Sequence, residues 1–163
     1  MSDYTALEQR IRRLEDRETI RELVSRYSIA IDDRDMHITG IAALFTPNGR
    51  FRTKDGAVNA RGVDAVIEYF KSSLAILGPT NHFTHEHIIF LDTNLEGKAY
   101  GLVASHAELV RRGEPMLVAL RYEDEYQFHE QSWKFYDRSL SYFYFMNVSD
   151  YAACLRETKR VRA

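Results

Sequence analysis

From His82 to Phe145 the chain runs through strand-like stretches joined only by short turns, and no other feature of the sequence limits the fold as much. The stretches are His82 to Leu91, Ala99 to Arg111, Met116 to His129 and Trp133 to Phe145. The links are Asn94 to Lys98, Arg112-Gly113-Glu114-Pro115 and Glu130-Gln131-Ser132. Links this short cannot carry the crossover that a parallel pair requires, so these strands must pair antiparallel.

The first half has a different period. Leu7, Ile11 and Leu14 recur at helical spacing, and Ile20, Leu23, Val24, Tyr27 and Ile31 continue an apolar stripe in a second run that Asp16 could cap. Ile41 to Phe45 predicts a short helix broken by Pro47-Asn48-Gly49. Arg50 to Thr53 and Ala57 to Ala60 flank Lys54-Asp55-Gly56, a hairpin signal. Gly62 to Leu77 predicts a helix with Val63, Val66, Ile67, Phe70 and Leu74 on one side, stopped by Gly78-Pro79. Helices early and long strands late give an α+β class. Helices packed on one face of a strongly bent antiparallel sheet leave a cone with an open mouth, enclosing a pocket.

Length and composition set the bounds. With 163 residues, 45% apolar and 28% charged, the chain suits one globular domain, residues 1–163, without repeats or low-complexity linkers. A formal charge of -2 gives no footprint for nucleic acid. No apolar run is long enough for a membrane span, and the charged N-terminal segment does not resemble a signal peptide, so a cytoplasmic location is expected. The basic run Lys159-Arg160-Val161-Arg162 reads as a solvated end. Cys154, the single cysteine, reads as a buried inert thiol, and Asn147-Val148-Ser149 as a glycosylation pattern without a secretory context.

The histidines are the natural place to look for chemistry. His82, His85 and His87 invite a metal reading, but strand alternation puts His85 and His87 on one face and His82 on the other. No metal is therefore expected. On the same rule His82 shares a face with Thr84, Glu86, Ile88 and Phe90. If that face is the inner one, His82 stands at the rim of the pocket as a proton carrier, with its tautomer fixed by a neighbouring carboxylate. Asp32, Asp33 and Asp35 follow the helical stripe, and Asp32, directly after Ile29-Ala30-Ile31, is the best placed to point inward. The plainer readings are a polar helix end and a histidine satisfying a backbone group. Tyr27 lies on the apolar stripe, and His106 has small neighbours that could leave it lining a cavity. Trp133 reads as core. Tyr142-Phe143-Tyr144-Phe145 reads as a strand packed on both faces or at a subunit contact.

Several segments together resemble a family. Tyr27 to Asp35 with Ala43 to Gly49, Arg61 to Val66, Asn81-His82-Phe83 and Trp133-Lys134-Phe135 match, in order, the pattern of SnoaL-like domains of the nuclear transport factor two-like superfamily. The likeness runs from about Leu14 to Phe145 and is closest to the branch holding scytalone dehydratase, hexachlorocyclohexane dehydrochlorinase and bile-acid dehydratase. The resemblance implies a catalytic pair from Asp32 and His82, assisted by Tyr27 and, more roughly, by His106. Glu86, where the family usually has Asn, and Ser141 on the last strand are expected in the substrate pocket. Some members carry an arginine on that strand, yet Ser139 to Tyr142 has none, and alternation turns Arg138 to the wrong face.

The function expected from this is a cofactor-independent lyase, or a related isomerase or cyclase, acting on a small, mostly apolar cyclic substrate. His82 would take a proton beside a carbonyl while Tyr27 and His106 bind the oxygen. Neither metal nor nucleotide is called for. The alternative is a non-catalytic ligand-binding or subunit-interaction protein of the same fold. A third reading makes Asp32 itself the proton shuttle, as in ketosteroid isomerase. The resemblance also implies a homodimer or homotrimer.

Overall fold

The computed structural model describes residues 3–33, 38–92 and 95–153. Arg34, Asp35, His37, Asn94, Cys154 and the basic run at 159–162 lie outside the described residues.

The elements follow in the order α1 (Asp3–Asp32), α2 (Ile38–Ala42), β1 (Phe45–Thr53), β2 (Asn59–Arg61), α3 (Val63–Leu74), β3 (Leu77–Leu91), β4 (Lys98–Arg111), β5 (Glu114–His129) and β6 (Ser132–Asn147). The six strands form one curved, unclosed sheet in the order β2-β1-β6-β5-β4-β3. The four long strands pair antiparallel in sequence order, as their short connections require, and β1 joins β6 in parallel. Ile20, Val24, Tyr27 and Ala30 of α1 pack with Phe70 of α3 and Phe45, Phe51, Val103, Val118 and Phe135 of the sheet. None of the described helices is long and apolar enough to cross a membrane.

Three boundaries and one packing expectation differ from the sequence reading. The first two helical runs are one continuous helix, and Asp16, the expected cap, instead accepts the Trp133 indole N–H at 2.8 Å from mid-helix. The short helix ends at Ala42, and Pro47-Asn48-Gly49 bends β1 where its register with β6 breaks between Phe45 and Arg50. Gly78-Pro79 belongs to β3. A side chain on Gly78 would meet Val110 Cβ at 2.8 Å, so this glycine serves close strand packing. Tyr142, Phe143 and Phe145 are exposed in the single chain, so the aromatic run is not packed on both its faces here.

Extra residues switch the faces of two strands, and this decides the site. In β3, Thr84 pairs with Ser105 and His87 with Val103, so His85 and Glu86 stand against Ala104 alone. In β6, Tyr136 is extra between the pairs Tyr126–Phe135 and Glu125–Asp137, and Phe143 between Leu120–Tyr142 and Ala119–Tyr144. Each such bulge moves every later side chain to the opposite face.

Candidate functional site

The end of α1 lies against the start of β3. Ser28 and Thr84 share a hydrogen bond at 2.9 Å, and one helical turn later Asp32 reaches the next residues along the strand. Its Oδ1 accepts from the Thr80 hydroxyl at 2.8 Å and faces His82 Nδ1 at 2.6 Å, while its Oδ2 accepts from the His82 backbone N–H at 2.6 Å. A carboxylate can only accept, so Nδ1 carries the proton and Nε2 is left with its lone pair. No described residue takes that nitrogen. The two side chains are mostly shielded, 25% and 11% exposed for Asp32 and His82.

His82 is part of the wall of a cavity of about 530 Å³ between α1, α3 and the concave sheet. Ile31, Phe70, Leu109, Val118, Leu120 and Leu140 make it apolar, and Tyr27, Tyr69, Tyr122 and Tyr142 add phenols. This volume is within the range of small-molecule sites.

Beneath the tyrosines lies Arg138, 1% exposed. Its guanidinium carbon sits 3.7 Å from the Tyr122 ring centre, 4.1 Å from that of Tyr27 and 4.4 Å from that of Phe135. Asp124 Oδ2 is 3.6 Å from its Nη1 and accepts the Tyr126 hydroxyl at 2.9 Å. The Tyr126 oxygen in turn receives His87 Nε2–H at 3.1 Å. His87, Tyr126, Asp124 and Arg138 thus form one buried polar chain.

Burial sets the ionisation in this chain. It pushes Asp124 up to about 6, partly opposed by Arg138 and by the Tyr126 hydroxyl. It lowers His87 to about 4, helped by the positive charges of Arg138 and Arg21. Burial alone would lower Arg138, but Asp124 and the phenols of Tyr122, Tyr27 and Tyr126 more than offset it, and the guanidinium ends above its ordinary value. Burial and the neighbouring Tyr122 hold Tyr27 well above the usual phenol range, against the pull of Arg138.

Among the expected site residues, Asp32 and His82 meet, and Tyr27 lines the same cavity. The other three do not join them. His106 is on the convex face, stacked on Phe83 with centroids 4.6 Å apart, and its Nδ1 meets His85 Nε2 at 2.6 Å. Its strand buries Val103, Ser105 and Ala107, so position 106 must face outward. Glu86 is exposed, because the bulge at His85-Glu86 ends the alternation that began at His82. Ser141 pairs with Arg121, whose guanidinium covers Phe143 on the convex face, while its neighbours Leu140 and Tyr142 line the cavity. The bulge also reverses the histidine pairing, with His82 and His87 inward and His85 outward. Among the described residues no group of three His, Cys, Asp or Glu side chains converges as a metal site.

Sequence reasoning missed Asp124, Tyr122 and Arg138. The first two were legible, since Leu120, Tyr122, Asp124 and Tyr126 keep a strict alternation on the buried face of β5. Arg138 was not, because only the extra residue Tyr136 brings it inward.

A family model described as a SnoaL-like domain matches residues 12–139. A hexachlorocyclohexane dehydrochlorinase of type 2 is similar at 21% identity, covering 83% of this chain and 90% of that one, with a TM-score of 0.74. A protein from Novosphingobium aromaticivorans DSM 12444, provisionally named a scytalone dehydratase, is 21% identical over 90% of this chain and 91% of its own, with a TM-score of 0.70. An NTF2-like protein with a cystatin-like fold, also from Novosphingobium aromaticivorans, is 23% identical over 88% and 92%, with a TM-score of 0.69. At these identities the likeness establishes the fold. No curated protein matches.

Proposed function

The chain belongs to the SnoaL-like domain family, and from that premise we propose that it is a lyase of dehydratase type, or an isomerase or cyclase, acting on a mostly apolar cyclic substrate. The observation that carries this reading is the 2.6 Å contact from Asp32 Oδ1 to His82 Nδ1 at the wall of an apolar cavity. His82 Nε2 takes a proton from a carbon beside a carbonyl, and Asp32 stabilises the imidazolium that forms. The C–H electrons become the new double bond, and the neighbouring hydroxyl leaves as water after recovering that proton from Nε2. In an isomerisation the proton returns to another carbon. Negative charge on the carbonyl oxygen is met by the Tyr27 hydroxyl, with the buried Arg138 cation behind it. The likeness to a dehydrochlorinase fits elimination chemistry.

Both Asp32 oxygens are occupied by Thr80 and His82. That suits an orienting carboxylate better than one which shuttles protons itself. The test is a screen of hydroxylated cyclic ketones with wild type and His82→Ala. We expect turnover to fall about 10²–10⁴-fold in the variant. Equal rates would end the catalytic reading, and binding without turnover in the wild type would return the protein to the ligand-binding class.

A further inference from the structure

Arg111 closes β4 and lines the mouth of the cavity. Its position follows from the strand's alternation, since Ala107, Leu109 and Arg111 all contribute to the lining. The guanidinium carbon stands 5.3 Å from the centre of the Phe145 ring, and Tyr142 packs edge-on against the same ring at 5.8 Å. Arg111 makes no ion pair among the described residues. Glu114, opposite it across the β4–β5 turn, accepts the Asn147 side-chain amide at 3.1 Å. Among its described residues the cavity is lined by no aspartate or glutamate.

We propose that Arg111, with the Tyr142 hydroxyl beside it, anchors an anionic group of the ligand, so that the substrate is an apolar ring system bearing a carboxylate, sulfonate or comparable acid. This rests on the cavity being the substrate site, as proposed above. His82 pairs with Ala107, four residues from Arg111 along β4, so the base and the anchor are separated by about 13 Å of strand. Both side chains reach into that gap, and two or three fused rings fill what remains. The acid sits at the wet mouth, where one cation can meet it, and the rings enter the dry interior. A neutral hydrocarbon of the same shape has nothing to hold it at the mouth, and Arg111 loses nothing when such a ligand binds.

Two dyes sharing one skeleton test this: 8-anilinonaphthalene-1-sulfonate, which is anionic, and N-phenyl-1-naphthylamine, which is neutral. Fluorescence titration should give tighter binding of the sulfonate to wild type. Arg111→Gln should weaken the sulfonate about tenfold, the factor of one charge-assisted contact, and leave the neutral dye unchanged. Arg111→Lys should recover part of the loss. Leu120→Trp, which fills the cavity, should weaken both dyes. Equal effects of Arg111→Gln on the two dyes, or none on either, would overturn the proposal. So would a sulfonate dye indifferent to Leu120→Trp, since the cavity would then not take an anionic ring. Dye affinity is read without turnover, so a failed turnover screen and a failed anchor remain distinct results.

Discussion

The buried chain under the cavity makes a prediction that can be worked through in numbers. Asp124 titrates at about 6 in the fold and at an ordinary 3.8 when unfolded. An acid with a raised folded value contributes stability that is fully present below 3.8 and lost as pH rises through 6. That gap, at about 1.4 kcal/mol per pH unit, is about 3 kcal/mol in all. His87 has the opposite sign. Its folded value of about 4 is below the ordinary 6.5, so its contribution is present above 6.5 and lost as pH falls through 4. The full gap is again about 3 kcal/mol, and solvent screening of this half-buried ring trims it to about 2. Between pH 7 and about pH 4.5 the two terms are each about 2 kcal/mol and nearly cancel. Single variants separate them. Relative to wild type, Asp124→Asn should lose about 2 kcal/mol more on acidification, and His87→Gln should gain about as much. Urea unfolding at the two pH values measures both, and each comparison with wild type removes every other titrating group. Variants whose stabilities track wild type at both pH values would refute the polar chain.

Two further outcomes follow from close contacts. Gly101→Ala would place a methyl carbon 2.7 Å from the Tyr126 hydroxyl and 3.1 Å from His87 Nε2; overpacking there should cost about 1–3 kcal/mol in urea unfolding, and a cost below about 0.5 kcal/mol would count against this packing. Asp16→Ala removes the acceptor of the Trp133 indole, so Trp emission, from the single tryptophan of the chain, should shift and stability fall by about 1 kcal/mol, whereas unchanged emission would mean that the helix does not hold this contact.

Elements and the pairing of the long strands were legible because hydrophobic period and turn residues act locally. The Asp32–His82 contact was legible for a related reason. A carboxylate at the end of an apolar stripe and a histidine opening a strand must both lie near the junction of the two layers. Glu86, Ser141 and His106 misled in two ways. For His106 the small, apolar neighbours that suggested a cavity belong to both faces of β4, and Val103, Ser105 and Ala107 are the ones turned inward. For Glu86 and for Arg138, simple alternation failed at a bulge. A bulge is one residue among many with no side-chain signature, and only the register of two paired strands reveals it.

Those bulges also decide the sign of charge around the cavity. If β3 kept all its residues but ran without the bulge, strict alternation from inward His82 would bring Glu86 inward with it, setting an acid on the wall. If β6 kept all its residues but ran without the bulge at Tyr136, strict alternation from Phe135 would turn Arg138 outward, and Asp137, paired here with Arg50 and Arg52, would take the buried face. Two breaks in alternation therefore exchange a carboxylate lining for a cation under the phenols. Negative charge developing on a bound oxygen meets a hostile field over a carboxylate lining and a favourable one over the buried cation. Replacing the cation tests this directly. Arg138→Gln removes the guanidinium from its place against Tyr27 and Tyr122, and a folded variant should weaken the anionic dye more than the neutral one. A folded Arg138→Gln variant that keeps the wild-type preference would show that the field comes from Arg111 alone.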